Sequence, residues 1–287
     1  MEDIYKLKPE QFPEVLNEIP QPPKSLYIRG KLPDKDVIYL AVVGSRKYTS
    51  YGKEVCEKLI RGLKGYPIVI VSGLAIGIDT IAHTTALNTG LTTISFPGSG
   101  LDNSVLHPRT NIKLAQEIIN KGGCLISEMD PSWKATLYSF PQRNRLMAGI
   151  SKAVLIIEAE EKSGTLITAR MALDYNRDVL AVPGSALSSN SNGTNWLIKQ
   201  GATPITSSND ILEALGFKIE KENKTDKEKY ADCGKNEMKI INLLREPMER
   251  NDLIRELDMN IGEANALLSI MEIKDLIKEE LGEIRKI

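Results

Sequence analysis

VIYLAVVGSRKYTSYGKEVCEKLIRGLKGYPIVIVSG, residues 37–73, decides the fold. Its two ends, VIYLAVVG (37–44) and PIVIVSG (67–73), are near-continuous apolar runs of strand length, each closed by glycine, and the segment between them is helical. Strands that are apolar on every residue are buried on both faces. A strand, helix, strand succession of this kind implies a right-handed crossover in a parallel sheet. The pattern repeats outward through TTISFPG (92–98), CLISE (124–128), AVLIIEA (153–159) and DVLAVPG (178–184). These runs alternate with helical segments and predict an α/β domain over residues 34–217, doubly wound around a mostly parallel sheet.

Residues 1–33 contain Pro13, Pro20, Pro22, Pro23 and Pro33, and read as an N-terminal arm packed on that domain. Residues 218–235, KIEKENKTDKEKYADCGK, lose the apolar period and have the composition of a linker. Beyond it, residues 236–287 show helical spacing over 236–245, 250–257 and 262–276. The tail KEELGEIRKI supplies a short hairpin around Gly282, so the expected form is a small winged-helix-like domain, with a plain three-helix bundle as the other reading.

The 287 residues, 41% apolar and 26% charged, are enough for a large core and a second module. No window approaches the roughly 20 apolar residues of a membrane span, and Met1 to Gln11 lacks a signal-peptide core, so a cytoplasmic, non-membrane protein is expected. Cys56, Cys124 and Cys233 lie far apart without a CxxC pair and suggest neither disulfides nor zinc. The net charge is −1, and residues 218–287 hold 14 Lys and Arg against 17 Asp and Glu. Any polyanion site must therefore come from local placement of cations.

The strands end in Gly44-Ser45-Arg46, Ser72-Gly73, Gly98-Ser99-Gly100 and Pro183-Gly184-Ser185. In a parallel sheet these ends share one edge, where helix N-termini present N–H groups, and an anion site is expected there. Glycine after a strand is also the ordinary way to make a tight turn, so the repetition carries the argument. Neither GxGxxG nor GxxxxGK[ST] occurs, which argues against NAD and P-loop nucleotides, and no cofactor is expected. Ser163-Gly164-Thr165 opens a helix, with Lys162 before it, and can hold a phosphate or simply cap the helix. FPQRNRLMAG (140–149) places Phe140 beside Arg143 and Arg145. That suits a splayed nucleic-acid strand, with bases on the ring and phosphates on the guanidiniums, and equally suits a core Phe with salt-bridged arginines. Arg46, Arg109, Lys134 and Lys162 fall in or near the other rim loops.

Catalytic candidates are few. Asp79 and His83, spaced i and i+4, read as a hydrogen-bonded pair fixing a helix start rather than as a dyad, and His107 is too distant in sequence for a local metal pair. Glu128 and Glu158 end strands on the same edge. Either can serve as an acid in a nucleotide-cleaving enzyme or pair with Arg143, Arg145 or Arg170. No catalytic and no metal site is expected.

The ordered set AVVGSR, VSGLAIGIDTIAH, PGSGLDNSVLHPRTN, SEM, FPQRNRLMAG, EAEEKSGTLITARMA, VPGS and NGTNWLIKQGA closely resembles the DprA/Smf family over about residues 24–217. The resemblance implies a single-stranded DNA-binding protein, dimeric through its Rossmann-like domain, that helps load RecA recombinase during natural transformation. It puts DNA contacts on Arg46 and Arg109, on Phe140, and on Lys134 shortly before it. His107-Pro108 stands where Tyr-Pro is expected, and the C-terminal module is acidic, which argues against its tight binding to duplex. The competing reading is a lysine-decarboxylase-like nucleotide phosphoribohydrolase. Such enzymes use a PGGxGT loop, and the comparable Lys162-Ser163-Gly164-Thr165 lacks the double glycine.

Overall fold

The computed structural model describes residues 3–33, 36–219, 230, 233–257, 259–280 and 282–286. It divides into two compact units, Met1–Ile219 and Glu220–Ile287. Most of the stretch read as a linker, 218–235, lies outside the described residues.

In the first unit the six runs read as strands form β3 (Ile38–Val43), β4 (Ile68–Ser72), β5 (Thr93–Ser95), β6 (Cys124–Ser127), β7 (Ala153–Ile156) and β8 (Asp178–Ala181). With β9 (Thr203–Pro204) they pair in parallel in the order β6-β5-β4-β3-β7-β8-β9. This is an α/β, Rossmann-like architecture. The N-terminal arm is more than a packed extension: β1 (Ile4–Leu7) and β2 (Leu26–Gly30) join the sheet antiparallel, β2 on β6 and β1 outermost. The proline-rich composition concealed them, although every proline of the arm lies outside the two strands.

Both faces of the sheet are covered, and successive residues serve opposite faces. Leu40 and Val42 of β3 and Leu155 of β7 pack under helices α1 (Ser50–Arg61), α2 (Ile78–Thr89) and α7 (Ser208–Ala214). Ala41, Val43, Val154 and Ile156 pack under α4 (Ser139–Ile150), α5 (Gly164–Asp174) and the arm residues Leu16 and Ile19. Helix α3 (Ile112–Asn120) sits with Leu74, Leu101 and Leu125 in a smaller apolar cluster, and α6 (Asn192–Lys199) precedes β9. Strand order reverses at β3, whose neighbours are β4 and β7. The carboxyl ends of β3 and β7 therefore flank a crevice of the kind in which ligands bind in open α/β sheets.

The second unit holds α8 (Lys235–Leu243), α9 (Arg250–Leu257) and α10 (Ile261–Ile273), with a three-stranded sheet ordered β10 (Met248–Glu249), β12 (Glu283–Lys286), β11 (Ile277–Glu280). Its own core contains Ile240, Leu253, Leu268 and Ile284. Arg250 ties α9 to α10 and to the hairpin, donating from Nε to Glu279 (2.8 Å) and from Nη1 to Asn265 (3.1 Å). The sequence pattern missed β10, two residues too short to show a period.

Candidate functional site

The crevice at the ends of β3 and β7 is a cleft of about 470 Å3. One wall is the turn Gly44–Lys47, another the start of α5 at Ser163–Thr165, and the third the first turns of α4 from Phe140 to Asn144. The turn is held by the Ser45 hydroxyl, which accepts from the Lys47 amide (3.0 Å). It leaves Arg46 exposed. The start of α5 is capped by Ser163, whose Oγ accepts from the Thr165 N–H (3.2 Å). The capping reading of Ser163 thus describes its geometry, and the Gly164 and Thr165 backbone still lines the cleft.

Phe140 is the half-buried centre of the site. The Arg46 guanidinium lies 5.6 Å from its ring centroid, within cation–π range. The His107 ring lies 5.8 Å away, inclined at 51°. Two loop residues, Arg46 and His107, meet the first turn of α4 here, and the sequence does not by itself place His107 beside Phe140. Gly98 makes the placement possible, since a Cβ at that position would run into the Phe140 ring. Gly73 has the same role for Arg143, whose guanidinium fills the space a Cβ would take, while Gly44 clears Ile78 and Gly100 clears the Asp130 and Pro131 carbonyls. These rim glycines are close-approach positions.

The two arginines of the FPQRNR segment are held by the fold, and of the two only Arg143 lines the cleft. Both are buried, Arg143 at 8% and Arg145 at 9% exposure. Arg143 donates to the Phe96 carbonyl. Arg145 pairs with Glu128 and donates to the Gln21 carbonyl of the arm (2.5 Å). On α4 these positions face inward, so the guanidiniums tie the helix to the sheet and the arm. Arg109, at the start of a 3-10 turn two residues beyond His107, is exposed, as are Lys134 in the β6–α4 loop and Lys162 before α5. None of these three lines the cleft itself.

Beneath the cleft lies a buried polar layer. Asp79 accepts from the amides of Gly73 (3.1 Å) and Ala75 (3.3 Å), fixing the turn into α2. Burial raises its carboxyl above the ordinary range, while Arg143 and the two amides pull the other way. The expected Asp79–His83 pair is not formed. His83 instead bonds through Nδ1 to Thr93 Oγ1 (2.7 Å), and Thr93 gives its own proton to the Ile70 carbonyl (2.8 Å). Nδ1 must therefore carry the hydrogen, which leaves Nε2 as a buried lone pair without a partner. Of the two strand-end carboxylates, Glu128 takes Arg145 as the sequence allowed, whereas Glu158 accepts from the Thr49 amide (2.9 Å) and hydroxyl (2.5 Å) in place of an arginine.

Burial, reinforced by Arg143, pushes His83 down to about 3. An unfolded chain takes up a proton near pH 6.5 that the folded protein refuses until about pH 3. The contribution of His83 to stability is thus full above pH 6.5 and is lost as the pH falls toward 3, by up to about 1.4 kcal/mol per pH unit. The His83 imidazole signals in NMR are expected to stay unshifted between about pH 7 and pH 4 while the fold persists. A titration midpoint near the ordinary histidine value would overturn the assignment.

The family profile described as DNA recombination-mediator protein A matches residues 3–216. The chain is 40% identical to the protein Smf of Escherichia coli over 72% of its own length and 55% of that protein, so it spans about half of this relative. It is 40% identical to the DNA processing protein DprA of Streptococcus pneumoniae over 74% of each. Among solved structures, the pneumococcal DprA superposes with a TM-score of 0.68 at 38% identity, covering 76% of this chain and 75% of that one. A Helicobacter pylori DNA processing protein A, studied for its single-stranded DNA binding mode, superposes at 0.66 with 32% identity, covering 75% of this chain and 98% of that one. With the profile matched over most of its length and relatives of this identity, the chain belongs to the DNA recombination-mediator protein A family.

Proposed function

We propose that this chain binds single-stranded DNA along the carboxyl edge of its sheet and acts as a recombination mediator. It does so as a cytoplasmic homodimer that hands the strand to a RecA-type recombinase. The observation that carries the binding reading is the Phe140 ring, with the Arg46 guanidinium 5.6 Å and the His107 ring 5.8 Å from its centroid, in the wall of an open cleft. A half-exposed ring offers a stacking platform to any base, and the Arg46 guanidinium beside it is placed for a phosphate. Arg109, Lys134 and Lys162 add exposed cations around the rim, and the α5 start adds backbone donors. The Helicobacter pylori relative, solved for its single-stranded DNA binding mode, supports the same polymer class. The recombinase and dimer parts of the proposal rest on the family resemblance.

Binding rather than catalysis is favoured by the carboxylates. Glu128 is paired with Arg145 and Glu158 accepts two hydrogen bonds from Thr49, so both are engaged in holding the fold. We read the second unit as a winged-helix-like module from its three helices and β10-β12-β11 sheet. Its α10 carries Glu263 and Glu272 but neither Lys nor Arg, so it is unsuited to a duplex groove.

The test is a salt-dependent titration with single- and double-stranded oligonucleotides of equal length. Tighter binding to the single strand is expected, and equal affinity at moderate salt counts against the proposal. Arg46→Ala and Arg109→Ala are each expected to lower the logarithmic salt slope by roughly 0.7, one phosphate's share of counterion release, with an unchanged melting temperature. A depressed melting temperature with the slope intact would make that arginine part of the scaffold.

A further inference from the structure

The β6–α4 loop, MDPSWKATLY (129–138), exposes three large apolar side chains in six residues: Trp133 at 50%, Leu137 at 86% and Tyr138 at 84%. Apolar groups left in water at this density mark a binding surface. The loop is also held in place. Trp133 donates its amide to Asp130 O (2.9 Å) and accepts from the Gly100 amide (2.8 Å), and Asp102 N–H bonds to Pro131 O (3.0 Å). At the far end Ser139 Oγ donates to Gly98 O (2.5 Å) and accepts from the Thr136 amide (3.0 Å). The backbone that presents the rings is thus tied to the same Gly98–Asp102 turn that seats Phe140.

Between the rings lies a hollow of about 670 Å3, bounded by Met129, Trp133, Tyr138 and Gln142. Leu137 borders both this hollow and the Phe140 cleft, so the two are neighbours on one rim. Lys134, exposed, stands in the chain beside Trp133. Aromatic faces alternating with a cation, continuous with a stacking ring, match an unpaired nucleic-acid strand: each base has a face to stack and each phosphate seeks a positive charge. Gln142 adds one amide able to donate and accept at a base edge.

We propose that Trp133 and Tyr138 form a second base-stacking station, with Lys134 on the intervening phosphate, that carries a single strand beyond the Phe140 cleft across the β6–α4 loop. This rests on the single-stranded DNA reading given above. It adds a consequence of its own: the binding footprint is longer than the Phe140 cleft alone can occupy.

The experiment uses the full chain carrying Trp196→Phe, which leaves Trp133 as the sole tryptophan of the two, and oligothymidylates of about 4 to 16 nucleotides. Trp133 emission is expected to be quenched by the longer oligonucleotides and little changed by the shortest. Adding Trp133→Ala and Tyr138→Ala is expected to weaken binding of the longer ones about tenfold, to leave the shortest nearly unaffected, and to shorten the length at which affinity stops rising. If the parent protein binds every length but Trp133 emission stays constant and the double variant keeps the same length dependence, the station is overturned, and the patch passes to a protein partner. If the parent protein binds no oligothymidylate at any length, the single-stranded DNA reading fails and the station with it, a result distinct from the previous one.

Discussion

Arg145→Ala is expected to lower the stability of the N-terminal unit by about 3–5 kcal/mol, because it strands a charge in a site from which water is largely excluded. The Arg145 side chain is 10% exposed and that of its partner Glu128 is 19% exposed. Arg145 also donates to the Gln21 carbonyl, so one guanidinium joins α4, the end of β6 and the proline-rich arm. Removing it leaves a carboxylate and a carbonyl desolvated without a donor. The cost should exceed that of the exposed Lys121–Glu117 pair, which belongs to the class worth about 1 kcal/mol or less. In a domain of this size, 3–5 kcal/mol corresponds to roughly 10 °C in melting temperature. Urea unfolding of Arg145→Ala beside Glu117→Ala measures the difference. A loss no larger for Arg145→Ala than for the surface variant would show that solvent reaches the pair. Since Arg145 does not line the cleft, the affinity of the folded variant for single-stranded DNA should match that of the parent.

Phe140→Ala is expected to weaken single-strand binding by about 1–3 kcal/mol, or roughly 5- to 150-fold, with the salt slope retained. The ring carries no charge, so its loss removes stacking without changing the number of phosphates neutralised. This separates it from Arg46→Ala, which should reduce the slope. Phe140→Tyr keeps the face and should bind nearly as the parent does. Gly98→Ala supplies an independent route to the same defect, because the added methyl occupies the place of the ring while leaving Phe140 in the sequence. Fluorescence anisotropy with a labelled oligonucleotide at several salt concentrations reads all four variants. Parent-like affinity for a correctly folded Phe140→Ala would remove the stacking platform from the site.

The six central strands were legible because burial on both faces writes itself into each residue of a run such as PIVIVSG, with no need to know the partner strand. The antiparallel strands β1 and β2 were not legible. LYIRG is an antiparallel neighbour of β6, a pairing that joins residues about a hundred positions apart and leaves no local period. Arg46, as a group reaching outward from a βα turn, was also visible in the sequence, since a strand closed by GSR leaves its arginine little choice.

The partners of polar side chains were a different matter. FPQRNR read equally as a cationic platform and as a buried ion-pair segment. Only the rotation of α4 against the sheet turned Arg143 toward the Phe96 carbonyl and Arg145 toward Glu128, and left Phe140 facing Arg46 and His107. Asp79 and His83 share a helix and the right spacing, yet each found a closer partner on another element. The sequence by itself determined the strand order's raw material, the edge on which turns and helix starts gather, and the family. The tertiary structure decided which charges are buried and which face the cleft, because a hydrogen bond is won by whichever donor and acceptor packing brings within about 3 Å, and that distance is set by contacts between segments remote in the chain.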